Sequence, residues 1–559
     1  MVALRVTSAT ASPVQRWWER DSERLQWELE RFEALGLDPD HRAEGDSLVI
    51  AARVRAAGSW EDVEFVLPAF YPDAMPRAHL RDRLLERHHA PGGHLCLLPD
   101  AEGADWSPAW STADTLVPRL RSLLTDLQTG EQAVAEAEVP WAEPVTAFYE
   151  YNAPAVVLPE PLWDLQLPGN RGNARLQAFG SAWICREATA RVGSGKTLVP
   201  EDHPALAAVA GESGEDLLNV AWYALDRPLP PPALRTNLAD VVPLKRLTAL
   251  FQRVKNDPRL ALFTFLEEGP ARGQQRRAWV LTEIHREDST TYRPVGLSQG
   301  QELSRTARQV RLPGLDHLAQ QHVAIIGAGS LGSPIAIELS KAGIGQLTII
   351  DDDHYDVGNA VRHVLPVTAA GVSKAEAVAA ASREYNPYVH AEGVHSRLGP
   401  SCSDTDEAVR ALQEADLVID TTGWSTDVAR AATTLRYEVG PLLIAGLSYG
   451  VQGGEILLHR NDGPCFDCFK LHQEDETIPR PREAERTAPL TPVACRLPAF
   501  PGPGFSATHL AALVTRAAVQ ELGAGGTPAT ADNWAVVDLR TDEKAAGVVG
   551  VHPECHRHA

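Results

Sequence analysis

His322-Val-Ala-Ile-Ile-Gly327-Ala-Gly329-Ser-Leu-Gly332-Ser-Pro-Ile-Ala-Ile-Glu-Leu-Ser-Lys-Ala-Gly343 decides the fold. The apolar run Val323 to Ile326 enters three spaced glycines, and the stretch to Gly343 has helical spacing, so a buried strand turns through a glycine loop into a helix. Backbone N–H groups and the helix dipole then face any phosphate placed at Gly327, Gly329 and Gly332. Reading outward, QLTIID from Gln346, DLVIDTT from Asp416 and LLIAGL from Leu442 continue the alternation of apolar strand and helix. The pattern predicts an α/β fold with a doubly wound, Rossmann-like, mostly parallel sheet over residues 301–559.

The second strand ends in Asp351-Asp-Asp353, where a Rossmann domain places the acid that holds a ribose hydroxyl. On these residues alone an NAD-dependent oxidoreductase is the default reading. Asn359, Arg362 and Lys374 follow closely, and two cations are surplus to a diphosphate-bridged dinucleotide. They suit a triphosphate: Arg362 neutralises a phosphate bidentately and Lys374 as a point charge, while an acid holds Mg2+. A solvated surface pair is the competing reading.

The ordered set GAGSLG, Asp351-Asp-Asp353, Asn359-Ala-Val-Arg362, Lys374 and Tyr385-Asn386-Pro387 resembles the ThiF, MoeB and ubiquitin-activating family over about 250 residues. The resemblance implies an adenylation domain that binds ATP and Mg2+. Arg305-Thr-Ala-Arg308-Gln309 is similar to the family's R-Y-x-R-Q segment, which implies that Arg308 reaches the nucleotide of a partner subunit and that the protein is a homodimer. Where the family has D-x-T-D, this chain has Asp420-Thr-Thr-Gly423. Gly423 cannot ligate a metal, so Asp420 or Asp353 carries that duty or the metal site is altered.

Cys465-Phe-Asp-Cys468 and Cys555-His-Arg-His558 each offer two soft ligands, enough together for one closed tetrahedral Zn2+ site. MoeB-like proteins have C-x-x-C at both places, and only the last ligand differs here. Between these pairs Cys495 lies in a Pro- and Gly-rich loop beside Arg496, ahead of a helix over 506–522, a setting that favours a thiolate nucleophile over a packed thiol. The family's activating cysteine occupies such a loop.

The chain before this domain divides into residues 1–150 and a linker domain over 151–300, the latter broken by proline-rich stretches at Pro154 to Pro168 and from Arg227. An amphipathic helix over 12–35, placing Trp18, Leu25, Leu29 and Phe32 on one side, precedes strands at Leu48 to Val54 and Asp62 to Leu67. In the linker domain a helix is expected over Leu244 to Lys255, with strands at Leu260 to Leu266 and Ala278 to Ile284. Phe65 to Pro76, then Gly93-His-Leu-Cys96-Leu-Leu, then Trp106-Ser-Pro108 and a helical run Thr115 to Leu127 resemble the ubiquitin-conjugating enzymes, with their F-P-x-x-Y-P-x-x-P, G-x-I-C-L and W-S-P blocks. The resemblance implies an α+β domain whose Cys96 accepts an acyl group by thioester exchange. The family's H-P-N asparagine is absent; His88 and His94 are the candidates to donate a hydrogen bond in its place, His89 being a third. Cys185 and Cys402 have no motif context and read as fillers.

The 559 residues suffice for three or four domains, and 44% hydrophobic content lets each bury a core. A formal charge of -22 repels a phosphate backbone, so no direct nucleic-acid partner is expected. No run reaches the ~18 apolar residues of a membrane span, the start lacks a secretory apolar segment, and seven scattered cysteines do not suit a disulfide framework, so a cytoplasmic protein without a membrane partner is expected.

Taken together, the resemblances imply ATP-dependent adenylation of a protein C-terminal carboxylate, thioester formation on Cys495, transfer to Cys96 and ligation to a lysine of a target. Fusions of this layout resemble the conjugation factor of cyclic-oligonucleotide-based antiphage signalling systems (CBASS), which implies a cGAS-like nucleotidyltransferase with a C-terminal glycine or similar as the protein substrate. A small ubiquitin-like protein of another bacterial conjugation operon is the alternative substrate. A sulfur-carrier adenylyltransferase with an inert docking domain is the alternative function, and Cys96 within G-x-x-C-L argues against it.

Overall fold

The computed structural model describes the chain except residues 1–15, 57, 82–84, 86–92, 99–105, 130–143, 150, 152, 193–194, 201–202, 204–205, 207–216, 230–236, 254–258, 270–272, 399–405, 424–425, 437–438, 462, 485–500, 524–531 and 559. The chain forms two compact units whose principal boundary lies between Glu302 and Leu303.

In the first unit, strands Asp40–Glu44, Ser47–Ala56, Ser59–Leu67 and Arg77–Leu80 pair antiparallel in chain order. Leu48 faces Leu67 and Ile50 faces Phe65 across the central pair. These side chains, with Val54 and Val63, are fully buried together with Phe32 of helix Ser22–Ala34 and Leu116 and Leu120 of helix Thr112–Thr129. Each such burial stabilises by roughly 1.5–3 kcal/mol. The expected single helix over 12–35 is instead Trp17–Arg20 and Ser22–Ala34, because Asp21 leaves helical geometry and its carboxylate caps the second helix by accepting from the Arg24 N–H at 2.9 Å. The break turns Trp17 rather than Trp18 into the core, against Tyr71.

The middle region is an eight-stranded sheet that contains the expected strands as Arg259–Glu268 and Gln275–Arg286, a hairpin, and the expected helix as Leu244–Arg253. Strand Val156–Pro159 lies beside Tyr292–Leu303 at one end of the strand order and also pairs with Ala182–Ala190 near the other. The sheet therefore closes on itself, which removes most of its open edge. Cys185, on one of these strands, is fully buried and its thiol is pushed up to about 12 by desolvation, as suits a filler.

The second unit has the expected doubly wound topology. Five parallel strands in the order His390–Val394, Gln346–Ile350, His322–Ile326, Leu417–Asp420, Leu442–Leu447 are extended by antiparallel Gly453–His459, Trp534–Asp538 and Lys544–Gly547. Val323 and Ile325 pack with helices Gly332–Ala342, Lys374–Tyr385 and Gly504–Glu521, while Ala324 and Ile326 pack with Glu407–Glu414, Thr426–Arg436 and Phe466–Glu474. The two-residue strand period thus sends alternate side chains into two cores. From His322–Ile326 the chain winds first toward one edge and then toward the other, so the switch point, where ligands of such sheets bind, lies between His322–Ile326 and Leu417–Asp420. Among the described residues no helix is long and apolar enough to cross a membrane.

Candidate active site

Three neighbouring strands deliver the glycine loop, Asp351 and Asp420 to one sheet edge. Gly327 has φ +91° and its N–H donates to the Ile350 carbonyl at 2.8 Å. A side chain at Gly332 would put its Cβ 1.8 Å from the Gly327 carbonyl oxygen, so only glycine lets the helix start this close to the strand. Around Gly329 nothing lies within 4 Å of a built Cβ, which leaves room where a phosphate would approach. Two residues without sequence signal hold the loop. Thr421 Oγ1 lies 3.0 and 2.9 Å from the Ile326 and Gly327 carbonyls. His363 accepts from the Leu365 N–H through Nδ1, so its Nε2 carries the proton and donates to the Ala328 carbonyl at 2.6 Å. Burial pulls this imidazole down to about 4, so it is neutral at physiological pH.

Asp351 accepts the Ala328 N–H at 2.6 Å and the Asp353 N–H at 2.8 Å, tying the acidic turn to the loop. Burial raises its carboxyl above the usual range, and those two N–H groups work against the rise. Lys374 Nζ lies 2.8 Å from Asp353 Oδ2; the lysine side chain is 12% exposed and the aspartate 58%. Arg362, half-buried, has its guanidinium drawn below the ordinary value by desolvation. Asn359 turns a buried Oδ1 that accepts no hydrogen bond, an acceptor that a donor on a bound molecule would satisfy. The structure therefore brings Gly327, Gly329, Gly332, Asp351, Asp353, Asn359, Arg362 and Lys374 into one linked segment. Asn386 instead packs internally, donating to the Ser340 carbonyl.

Asp420 is almost wholly buried. Its Oδ1 accepts the Thr422 N–H and hydroxyl, whereas Oδ2 is buried with no hydrogen-bond partner. Desolvation pushes the carboxyl from 3.8 to about 6. A raised folded-state value means stability is greatest below the unfolded value and is lost as pH rises through about 6. Asp420→Asn should therefore be more stable than wild type at pH 8, by a few kcal/mol at ~1.4 kcal/mol per unit, and melt higher, and the difference should vanish below about pH 4. Equal melting temperatures at pH 8 would show that the carboxylate is not strained there.

Arg308 is not brought to this edge within the chain. It donates to the Tyr385 carbonyl at 3.1 Å and lies 3.4 Å from that of Lys341, at the C-terminal ends of the helices whose N-termini carry Lys374 and follow Gly329. Cys495 and His88, like His89 and Cys402, lie outside the described residues.

In the first unit Leu95 is buried and its N–H donates to the Ala78 carbonyl at 2.8 Å, extending the meander by one bridge. Beside it in the chain His94 is half-buried and Cys96 is exposed. Among the described cysteines Cys96 alone is exposed. It borders a small cleft with Met75, Pro76, Arg77 and His94, and His94 meets His79 ring to ring at 6.0 Å.

Cys465, Cys468, Cys555 and His558 converge, with ligand atoms all within 4.8 Å of one another. The Cys465 sulfur lies 3.7 Å from that of Cys468 and 3.6 Å from that of Cys555. Sulfurs on a tetrahedral Zn2+ at ~2.3 Å are about 3.8 Å apart, so the donor set fits zinc. Asp467 supports it, accepting from Arg430 and from Arg557 at 2.9 Å each. Cys555→Ser is expected to lose the metal and destabilise the second unit by several kcal/mol, lowering its melting temperature by ~2–4 °C per kcal/mol. Elemental analysis with calorimetry checks it; a metal-free wild type or an unchanged transition would speak against the clip.

Residues 303–530 match the ThiF family, from the first residue of the second unit's main segment. This unit is a ThiF-like, Rossmann-type domain. Over 565 residues the chain is 24% identical to the uncharacterized protein y4oA of Sinorhizobium fredii, covering 91% of each. It is 31% identical over 180 residues to the adenylyltransferase and sulfurtransferase MOCS3 of Arabidopsis thaliana, covering 31% of this chain and 37% of that protein. A crystal structure of Escherichia coli MccB with ATP aligns with a TM-score of 0.33 at 17% identity, over 43% of this chain and 68% of that one.

Proposed function

We propose that the protein adenylates a protein or peptide C-terminus with ATP and conveys the acyl group through two cysteines to an amine. The observation that carries the reading is the pairing of a glycine loop with two cations, Lys374 and Arg362, on the segment that leaves Asp351. The ThiF-family match supports it, since adenylyltransferases such as MOCS3 are among the relatives. The substrate carboxylate attacks the α-phosphorus of ATP, the bond to the bridging oxygen breaks, and pyrophosphate leaves with an acyl-adenylate formed. Backbone N–H groups at Gly329 and the cations Lys374 and Arg362 offset phosphate charge. Asp420, with its open Oδ2, and Asp353 are the acids that would hold Mg2+, which would supply further charge neutralisation when bound.

In the proposed sequence the Cys495 thiolate then displaces AMP, the Cys96 thiolate takes the acyl group, and a lysine amine of the target forms an amide and frees Cys96. Support for Cys495 comes from its described flanks. The Ala484 N–H donates to the Tyr449 carbonyl, Gly502 abuts Val451, and Gly504 abuts the backbone of Arg362. Arg308 acts on the nucleotide of a second copy, in a homodimer. A cGAS-like nucleotidyltransferase of an antiphage system is the proposed acyl donor, and a ubiquitin-like protein the second choice.

ATP–pyrophosphate exchange with candidate donors tests the reading. Exchange that requires a donor with an intact C-terminal glycine is expected. NAD binding with no exchange for any donor would return the site to a dinucleotide. Under a sulfur-carrier reading, Cys96→Ala would leave every product unchanged.

A further inference from the structure

Beyond the cysteine clip, a second cluster joins helix Phe466–Glu474 to the C-terminal tail. His472 lies in the last turn of the helix, Asp475 is its C-cap residue, and His552 comes from the tail; one ligand atom of each lies within 4.8 Å of the others. The His472 tautomer is set by its surroundings. Nε2 lies 3.0 Å from the Gly550 carbonyl, which can only accept, so Nε2 carries a proton and the neutral ring has its lone pair at Nδ1. That Nδ1 is buried and has no hydrogen-bond partner, 4.0 Å from Asp475 Oδ2. His552 Nε2 lies 3.1 Å from the same oxygen, and the two rings stand 78° apart with centroids 4.8 Å from each other.

We propose that His472, Asp475 and His552 bind a second divalent cation of the borderline class, Zn2+, Co2+ or Ni2+, distinct from the cysteine clip. Two neutral imidazoles and one carboxylate are the donor set that such ions take when positions are left for water. Donors ~2.1 Å from one ion are about 3.0–3.4 Å apart, so the observed 3.1 Å separation fits and the 4.0 Å one closes with a turn of the Asp475 carboxylate. That carboxylate is 46% exposed, and its Oδ1 accepts the Thr477 N–H at 3.0 Å, which leaves Oδ2 facing the two rings. The Gly550 carbonyl already supplies the outer contact that orients a ligating imidazole.

Binding has an identifiable cost. The Glu554 N–H donates to His552 Nδ1, so on coordination the Nε2 proton moves to Nδ1 and that contact is given up, about 1 kcal/mol. The His552 carbonyl accepts the Cys555 N–H at 3.0 Å, so the new ion and the clip order the same turn.

The test titrates the full-length protein, purified without chelator and with its clip metal measured, with CoCl2. One further equivalent is expected, with a weak ligand-field spectrum that lacks thiolate charge transfer and is displaced by Zn2+. His472→Gln and Asp475→Asn should each weaken it by at least the ~10–100-fold that loss of a supporting contact causes, with clip metal retained. No further equivalent in the wild type, or one bound equally by both variants, would overturn the proposal. Should the variants lose the clip metal, X-ray absorption on the wild type decides: a second cobalt with only nitrogen and oxygen neighbours upholds the site, and sulfur neighbours refute it.

Discussion

Replacing Lys374 or Arg362 by alanine is expected to lower ATP–pyrophosphate exchange about 10²–10³-fold, as removal of one positioned charge-stabilising contact does elsewhere, a loss of about 3–4 kcal/mol. The folds should be unaffected, for reasons that differ between the two. The Lys374–Asp353 pair has one partner 58% exposed, so its contribution to stability is that of a surface pair, below ~1 kcal/mol. Arg362 carries a desolvation burden in the free protein, which offsets part of what its contacts contribute. Lys374 thus costs little to lose until a polyphosphate arrives. Arg362→Lys should recover less than half of the lost free energy, because a point charge replaces a planar fork. Near wild-type exchange in either alanine variant, at unchanged melting temperature, would remove that residue from the phosphate site.

The second unit was readable because its signals are local. Four apolar residues between His322 and Gly327 have few ways to be satisfied other than as a strand buried on both faces, and a Cβ at Gly332 meets backbone within the same turn. Asp351 at the end of the second strand follows from the same pattern, whereas Asp420 enters through the family resemblance. The features that carry no sequence signal depend on contacts between distant parts of the chain. Thr421 reaches Gly327 across 94 positions and His363 reaches Ala328 across 35, and neither residue type marks such a role by itself. Glu28 sits fully buried on the apolar side of its helix because Arg24, Tyr71 and the Thr112 N–H all bond to it. A solvated glutamate looks identical in sequence. The middle sheet was least legible because its order interleaves strands far apart, Arg171–Phe179 lying between Ala182–Ala190 and Leu217–Ala224, and closure rests on Val156 and Val157 meeting Trp183 and Ile184.

Cys495→Ala should still release pyrophosphate in a single turnover but leave both cysteines uncharged, whereas Cys96→Ala should accumulate an adduct on Cys495. Adenylation consumes no thiol, so it precedes both steps. Exchange between two thioesters is nearly balanced in free energy, so neither cysteine gives the sequence its direction. Direction comes from the cleavage of ATP to AMP and pyrophosphate upstream and from amide formation downstream, where a thioester is replaced by a far less reactive bond. The exposure of Cys96, against the burial of Cys185, Cys465, Cys468 and Cys555, leaves it the described thiol open to an incoming acyl group. Its attack requires the thiolate, which a carboxylate placed in the cleft at Arg77 would disfavour. Arg77→Glu should accordingly slow loading of Cys96 while loading of Cys495 proceeds. Non-reducing gels with a labelled donor, run beside reduced duplicates, resolve the two adducts. A charged Cys96 in the Cys495→Ala protein would mean that Cys96 attacks the adenylate directly, and would reduce the relay to one thiol.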